Sequence, residues 1–547
     1  MTHRTPASRL PMLAFVVAVA LDPASRASAD APKVSSFFPG GAARGETVTV
    51  KAEGSFEPWP VLVSVDRPGV DFVPGEEAGT FEVTVSPDAT PGPRWIRLHN
   101  DEGAASLRPF AVGTLPEVVE VEPNDANDQA QAIEAEPVVV NGRLQRSNDV
   151  DAFAVPLDPG QTLVASLQAN RALGSPMDGV LQVATPDGFV LDHADDSPGL
   201  DPTIAFTAPS SGTYLVRVFA FPADPNSSIR FDGGDDHVYR LILTTGGLVE
   251  FAQPSAVPPG DEAPALSPIG WNLPDDPGPL LLGTVSPPGD GQTALAHHAM
   301  LPGSADVAVV PLPVATEPGL DAEPIPAPSI LCGAIGEPGE VDDLPILAPA
   351  DMPIRIRVPA RSFGSPLDPV LRVLDSSGEE LERSDDAGRS DRDPEVTVKA
   401  PADGLLRLQI RDLHGRGGPR FLYRVVAEEP APDVSLSKGA DHVELRPGTP
   451  LEVEVSVDRR GDFDRPITFE AEGLPPGVTL EPVVSEPKGD SSKKVKLRLS
   501  GPEAAPWSGP IRLLGRAEGD EAARPVQADR VGGPPTSELW LTVLPAE

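Results

Sequence analysis

The sequence predicts an all-β protein built as a multi-domain string of β-sandwiches, and three observations support this fold class. The chain of 547 residues holds 68 Pro and 51 Gly, which interrupt helices and favour short strands joined by turns. Apolar and polar residues alternate in several segments, for example residues 451–457 (LEVEVSV). A block of turn residues with constant spacing also occurs twice, which indicates a duplicated folding unit.

The charge of the chain limits its partners. The formal net charge is −39, from 43 basic and 82 acidic residues. An acidic surface of this size repels phosphate backbones, so we expect no nucleic-acid partner. Divalent cations suit such a surface, although solubility alone would also account for the charge.

The first 29 residues are predicted to be a secretory signal peptide. Arg4 and Arg9 form a basic start, residues 10–21 are apolar but short, and residues 27–29 form an A-x-A cleavage site. No later run of about 20 apolar residues follows, so no transmembrane segment is expected in the mature chain. We therefore expect a secreted, periplasmic or cell-surface protein. Its one cysteine, Cys332, lies in an apolar stretch and reads as a buried strand residue.

The mature chain divides into five segments, and a length of 547 residues calls for about three to five domains. Short strands between turns predict immunoglobulin-like (Ig-like) sandwiches at both ends. The opening at residues 39–50 resembles bacterial IPT/TIG-type Ig-like domains. The expected segments are an Ig-like domain at 30–115, a first repeat copy at 116–248, a Pro/Gly-rich linker or small β-unit at 249–325, a degenerate second copy at 326–430 and an Ig-like domain at 431–547. Such modules are expected to be strung as a rod.

The first copy opens on a run of hard oxygen donors, the kind that Ca²⁺ collects in sets of about six to eight. The candidate metal ligands are Glu120, Glu122, Asn124, Asp125, Asp149 and Asp151. Glu120 and Glu122 would share one face of an extended strand, and Pro123 would turn the chain behind them. Solvated acidic turns are the alternative interpretation, and the EF-hand pattern is absent.

An ordered series of short motifs carries a family resemblance. The series runs through residues 122–125 (EPND), 141–144 (NGRL), 148–153 (NDVDAF), 174–178 (GSPMD) and 186–188 (PDG), and continues to Tyr239. It resembles the bacterial pre-peptidase C-terminal (PPC) domain over about 120 residues. The resemblance implies a jelly-roll-like β-sandwich of a kind attached to secreted proteases and to many non-enzymatic surface proteins. It also implies Ca²⁺ bound by the six acidic-edge residues, because related collagen-binding modules bind Ca²⁺ there.

The second copy keeps the sandwich-building residues but differs at the acidic edge. Residues 364–368 (GSPLD) correspond to residues 174–178, and residues 339–344 (GEVDDL) correspond to residues 148–153. The nearest match to EPND, however, is EPGL at residues 317–320, where Gly and Leu replace two oxygen donors. The second copy is therefore predicted to have a weaker calcium site or none.

Catalytic motifs are missing from the sequence. There is no His-Glu-x-x-His, no Gly-x-Ser-x-Gly and no phosphate-binding loop. The adjacent pairs Asp195-Asp196 and Asp385-Asp386 would point to opposite faces of a strand and could form a catalytic pair only in a loop, and we interpret them as hairpin or loop residues without a catalytic role. We expect a non-catalytic protein that binds or adheres to an extracellular protein or polysaccharide. The alternatives are a secreted, peptidase-associated hydrolase with an unrecognised active site, and a subunit of a larger envelope assembly.

Overall fold

The computed structural model describes residues 30–134, 136–195, 199–224, 230–260, 264–283, 292–317, 323–388 and 392–546. The predicted signal peptide lies outside these residues. Strands dominate the described part of the chain, and its α-helix has four residues, so the all-β fold class is confirmed. None of the described helices is long and apolar enough to cross a membrane.

The N-terminal sandwich packs two sheets face to face, in the order β1-β3-β6-β5 and β2-β9-β7-β4, around a core that includes Phe72, Phe81 and Phe110. Its strands are β1 (Lys33–Phe38), β2 (Gly41–Ala43), β3 (Thr47–Ser55), β4 (Leu62–Val65), β5 (Val70–Pro74), β6 (Thr80–Val85), β7 (Gly92–Asn100), β8 (Gly103–Ala104) and β9 (Arg108–Gly113).

The first copy is a sandwich of two five-stranded sheets with one continuous apolar core. Its elements are β10 (Glu117–Val119), a 3₁₀ turn (Asn127–Gln129), β11 (Gln131–Ala132), β12 (Val138–Arg143), β13 (Asp151–Leu157), β14 (Thr162–Gln168), α1 (Asn170–Leu173), β15 (Met177–Ala184), β16 (Val190–Ala194), β17 (Thr203–Thr207), β18 (Gly212–Pro222) and β19 (Val238–Thr244). One sheet has the order β10-β12-β19-β14-β17 and the other β11-β13-β18-β15-β16.

Residues 248–309 form a central β-unit with its own small core, which includes Val257, Ala294 and Val307. A two-stranded sheet pairs β20 with β22, and a four-stranded sheet has the order β21-β25-β24-β23. The strands are β20 (Leu248–Gln253), β21 (Ala256–Val257), β22 (Ser267–Trp271), β23 (Leu281–Leu282), β24 (Gln292–His297) and β25 (Ser304–Val309).

The second copy repeats the strand order of the first, with sheets β26-β28-β35-β30-β33 and β27-β29-β34-β31-β32. Its elements are β26 (Val314–Thr316), β27 (Ile325–Pro326), β28 (Ser329–Ala334), β29 (Asp342–Leu347), β30 (Pro353–Arg357), a 3₁₀ turn (Arg361–Phe363), β31 (Pro369–Asp375), β32 (Glu380–Ser384), β33 (Glu395–Lys399), β34 (Leu405–Asp412) and β35 (Leu422–Glu428). Its strands thus begin before residue 326. Cys332 is buried in β28.

The C-terminal sandwich has the sheets β40-β42-β38-β36-β45 and β37-β46-β43-β39-β41. Its elements are β36 (Asp433–Lys438), β37 (His442–Leu445), β38 (Leu451–Arg460), β39 (Ile467–Glu472), β40 (Thr479–Leu480), β41 (Val484–Ser485), a 3₁₀ turn (Asp490–Ser492), β42 (Lys494–Ser500), β43 (Trp507–Ala517), β44 (Arg524–Pro525), β45 (Gln527–Ala528) and β46 (Leu539–Val543). Alternating burial along β38 and β42 places one face of this sheet on the core.

The expectation of an extended rod is wrong, because the N-terminal and C-terminal sandwiches touch each other. Arg97 Nη2 lies 2.9 Å from Asp441 Oδ2, and both side chains are almost fully buried. The backbone N–H of Leu107 donates to the same carboxylate oxygen at 3.0 Å. The Arg530 guanidinium also stacks 3.8 Å from the centroid of the Trp95 ring. The chain therefore folds back and brings its first and last sandwiches together.

Candidate metal centre

The acidic edge of the first copy forms where two chain segments meet. Short β10 pairs in parallel with β12 and leads directly into Glu120. The turn that follows carries Glu122 to Asp125, and the backbone C=O of Asn124 accepts the N–H of Ala152 at 3.1 Å. A second turn before β13 carries Asp149, with Asn148 in the left-handed region at φ 66°, which Asn tolerates better than most residues. These contacts bring the two acidic stretches of the sequence together.

Four of the six predicted ligands converge on one point. One carboxylate oxygen from each of Glu122, Asp125, Asp149 and Asp151 lies within 4.8 Å of the other three. Asp149 and Asp151 are fully buried. Like charges held this close repel one another in a poorly solvated place, so the cluster needs protons or a cation to balance it.

Three oxygens of this cluster lack hydrogen-bond partners although they are buried. They are Oε1 of Glu122, Oδ1 of Asp125 and Oδ1 of Asp149. The second oxygens are used: Glu122 Oε2 accepts the Asn124 N–H at 3.0 Å, and Asp149 Oδ2 accepts the Gln145 N–H. Buried carboxylate oxygens usually have a hydrogen-bond donor or a cation as partner, so these three oxygens are available to either one.

Asn124 adds an amide to the cluster from a fully buried position. One terminal atom of its amide lies 3.1 Å from Asp151 Oδ1 and 3.3 Å from Glu122 Oε2. If that atom is nitrogen, it donates to both carboxylates. If it is oxygen, three acceptors face each other and a cation between them would satisfy all three.

Glu120 borders the four-residue group instead of belonging to it. Its Oε1 accepts the backbone N–H of Arg143 at 2.8 Å, and its Oε2 accepts the Tyr239 hydroxyl at 3.2 Å. Burial raises the pKa of Glu120 to about 7, with the neighbouring Glu122 charge adding to the shift. Both carboxylate oxygens of Glu120 thus already accept hydrogen bonds from this chain.

The ionisation of the cluster is unfavourable without a cation. Burial raises the pKa of Asp149 to about 6. The pKa of Asp151 is raised further, first by burial and then by the Glu120 charge. The acids are therefore poised to exchange protons for a cation at neutral pH, because a metal ion binds only the deprotonated form.

Arg146 supplies the cluster with a positive charge from this chain. Its Nη2 lies 2.6 Å from Asp125 Oδ2 and 3.6 Å from Asp149 Oδ1. The Arg146 side chain is 60% exposed, so it can swing into solvent without leaving a cavity. Four carboxylates facing one guanidinium still leave a net negative charge.

Tyr239 and Gly142 were not among the predicted ligands, yet they shape the site. The Tyr239 hydroxyl contacts Asp151 and Glu120 from a fully buried position on β19. A Cβ atom on Gly142 would lie only 2.2 Å from the Tyr239 hydroxyl, so glycine is required beside the ring. Repetition of Tyr-Arg at 239–240 and 423–424 was the sequence signal that could have identified the tyrosine.

The second copy keeps the tyrosine and an acid at the positions of Glu120, Asp149 and Asp151, but arranges those acids differently. Tyr423 donates to Asp342 Oδ2 at 2.7 Å, as Tyr239 does to Asp151. Glu340, the counterpart of Asp149, is exposed and caps its own turn by accepting the Glu337 N–H. The adjacent Asp343 is paired with Arg407. Among the described residues, this copy has no cluster like that of the first.

Strand register corrects one match drawn from the sequence. β26 pairs with β28 so that the N–H of Glu317 donates to the Cys332 carbonyl, as the N–H of Glu120 donates to the Asn141 carbonyl. Glu317 is therefore the counterpart of Glu120, although the Glu-Pro dipeptide suggested Glu122. The three residues after Glu317 lie outside the described residues.

Fold and site together define a multi-domain β-sandwich protein with one concentrated acidic edge. Residues 149–220 match the model of the bacterial pre-peptidase C-terminal domain family. This range includes Asp149 and Asp151 and leaves out the four candidate ligands between residues 120 and 125.

Similar proteins were found by sequence and by structure. A Deinococcus radiodurans protein named "Probable subtilase-type serine protease" is 31% identical over 121 residues, 21% of this chain and 15% of the relative. The chain thus spans only about a seventh of that relative's length. Fibronectin(III)-like modules of Clostridium thermocellum CbhA are 15% identical (TM-score 0.14), covering 36% of this chain and 88% of theirs. SGBP-B of the Bacteroides ovatus mixed-linkage glucan utilization locus is 10% identical (TM-score 0.15), covering 73% and 74%. Such low TM-scores carry no functional argument.

Proposed function

We propose that this chain is an exported, non-catalytic modular β-protein for extracellular binding or adhesion, whose first copy holds one Ca²⁺ ion at its acidic edge. The ligands would be Glu122, Asp125, Asp149 and Asp151, with the Asn124 amide oxygen as a fifth donor. The observation that carries the proposal is the convergence of four carboxylates with three buried, unpaired oxygens. Both copies would be PPC domains, the second without a complete site.

The donor set favours calcium over other metals. All five side chains offer oxygen, and neither His nor Cys joins the cluster in the described residues. Zinc and copper prefer nitrogen and sulfur ligands, whereas Mg²⁺ usually keeps several waters and needs few protein ligands. An irregular site with many carboxylates between two turns suits the larger, more flexible coordination of Ca²⁺.

The ion would act as a clamp on the fold of the first copy. It would join the turn at residues 122–125 to the turn before β13 and replace carboxylate repulsion with attraction. Asp151 is fully buried against Tyr239, so a large substrate cannot reach its carboxylate. This enclosure supports a stabilising role for the cation and argues against general acid catalysis by Asp151.

Thermal unfolding of the full chain tests the clamp. Protein stripped with a chelator and dialysed should gain a higher unfolding temperature on adding Ca²⁺, and addition of chelator should reverse the gain. The same titration on an Asp149→Asn, Asp151→Asn double variant should show no shift. A calcium-independent unfolding temperature in the parent protein would reject the proposal.

A secreted hydrolase is the alternative, favoured by the matched protease relative. The match covers 15% of that protein, so the activity in its name does not transfer to this chain. Incubation of the purified chain with casein and with soluble polysaccharides distinguishes the two functions. Turnover that survives repeated purification would replace the binding function with a catalytic one.

A further inference from the structure

Strand β16 of the first copy presents unusual apolar surface at a sheet edge. Phe189 is 72% exposed, Val190 48% and Leu191 43%. The sheet order ends at β16, which pairs only with β15 among the described strands. Alternate backbone N–H and C=O groups of an end strand face outward and are available to another strand.

A β-bulge shapes this edge. Ala184 pairs with Val190 and Val183 pairs with Asp192, so Leu191 is the extra residue between them. Val190 and Leu191 are both exposed. An added strand could therefore contact these apolar side chains beside the bulge.

The apolar edge is flanked by acidic residues. Asp187 and Asp192 lie within three residues of Phe189, and Asp195 follows the strand. Residues 185–195 contain no Lys or Arg. Charge complementarity thus favours a basic segment at this edge. A second copy of this chain is disfavoured as the partner, because each copy carries a net charge of −39.

The second copy shows that the fold does not require Phe189 and Val190, although it keeps an exposed leucine, Leu381, where the first copy has Leu191. Register pairs Glu380 with Leu374 as it pairs Val190 with Ala184, so Glu379 and Glu380 stand where the first copy has Phe189 and Val190. Glu380 forms an ion pair with Arg372 at 2.7 Å. Charged residues on an outer strand disfavour strand addition, so the second copy has a protection at these two positions that the first copy lacks.

We propose that β16 docks an extended, basic segment of a partner protein as an added strand. Backbone hydrogen bonds from β16 would supply affinity, as in other cases of strand addition. Alternate apolar side chains of the segment would pack on Val190 and Leu191, and Lys or Arg would face Asp187 and Asp192. This docking uses none of the proposed calcium ligands.

A fluorescent, N-acetylated peptide of alternating Lys and Val tests the docking by anisotropy with the full chain. Two control peptides separate the contribution of charge from that of backbone hydrogen bonds. The first has Glu in place of Lys. The second carries N-methyl groups on alternate residues, which keeps the charge but removes the peptide N–H groups that would donate to β16. The matched variant is F189E/V190E, which installs the residues of the second copy. The reciprocal variant E379F/E380V exposes an apolar edge on the second copy.

Binding of the Lys-Val peptide should weaken by about tenfold or more in F189E/V190E, with the N-methylated peptide and with the Glu peptide. Circular dichroism of F189E/V190E should match the parent, since the altered side chains are exposed. Equal binding of the N-methylated peptide would overturn strand addition in favour of simple charge attraction. If the parent chain does not bind the Lys-Val peptide, the proposal of a basic partner is rejected. If the parent chain dimerises and F189E/V190E abolishes the dimer, the partner is a second copy of this chain instead.

Discussion

The hydroxyl of Tyr239 donates a hydrogen bond of 2.6 Å to Oδ2 of Asp151 beneath the acidic cluster. The second copy repeats this bond between Tyr423 and Asp342. The duplicated fold thus retains a tyrosine that anchors a buried aspartate, while the other acids vary. In the first copy the anchored aspartate joins a candidate cation site, and in the second the charges of Glu317 and Glu340 lie near it without forming such a cluster in the described residues.

Asp149→Asn should weaken calcium binding. The substitution removes one charge and replaces a buried, unpaired carboxylate oxygen with an amide atom. We expect Ca²⁺ affinity to fall by about tenfold or more, because affinity depends on the number of charged ligands. Titration calorimetry measures the change. Asp128→Asn, an exposed acid outside the cluster, is the control, and an equal loss in both variants would contradict the assignment.

Arg146→Ala should strengthen calcium binding. The Arg146 guanidinium contacts Asp125 and Asp149 and competes with an added cation for the same oxygens. We expect an affinity gain of about three- to tenfold for a partly exposed charge near the site. Arg171→Ala is the control, because Arg171 pairs with Asp306 away from the cluster. Weaker binding in Arg146→Ala would show that the arginine supports the site instead.

Asp342→Asn should change the pH dependence of stability. Burial raises the pKa of Asp342 to about 7. The folded state therefore keeps a proton that the unfolded state loses above about pH 4, and stability falls as pH rises from about 4 to about 7. The variant should lose this fall, so its free energy of unfolding relative to that of the parent should be higher at about pH 8 than at about pH 5.

Urea unfolding of the full chain at both pH values measures this effect. Asp385→Asn, which changes an exposed acid of the same copy, should leave the pH dependence as it is in the parent. If Asp342→Asn and Asp385→Asn behave alike, Asp342 is ionised in the folded protein at neutral pH.

Arg97→Ala should loosen the contact between the N-terminal and C-terminal sandwiches. The substitution leaves the Asp441 carboxylate buried without its ion-pair partner, which typically costs about 3–5 kcal/mol. Calorimetry should show a lower unfolding temperature, and small-angle scattering should show a larger radius of gyration. Arg97→Met with Asp441→Leu should recover much of the stability, because it removes both charges. An unchanged radius in Arg97→Ala would mean that other contacts hold the sandwiches together.

The sandwich fold was predictable because its signals are local. Alternation along residues 451–457 predicted a strand with one face on the core, and Val453, Val455 and Val457 of β38 are buried. Turn residues and alternation depend on neighbours in the chain, so they can be read without knowing the tertiary structure. Contacts between separate sandwiches carry no such pattern, which is why the pairing of Arg97 with Asp441 was missed and a rod was expected.

The candidate site was only partly predictable. The runs of oxygen donors indicated all six candidate ligands, and the family resemblance implied the same six. Arg146 escaped notice because its role arises only when the turn before β13 folds against Asp125. Glu317 was matched to Glu122 because a dipeptide repeats, whereas hydrogen bonds between β26 and β28 determine the true correspondence.

Titration calorimetry of the metal-free full chain with Ca²⁺ tests the central claim most directly. The account predicts one ion per chain, bound with release of protons from the raised-pKa acids of the first copy, so the heat should depend on the ionisation enthalpy of the buffer. Asp149→Asn should remove or greatly weaken this binding, and Asp342→Asn should leave it intact. No binding by the parent chain, or two equivalent ions, would contradict the account.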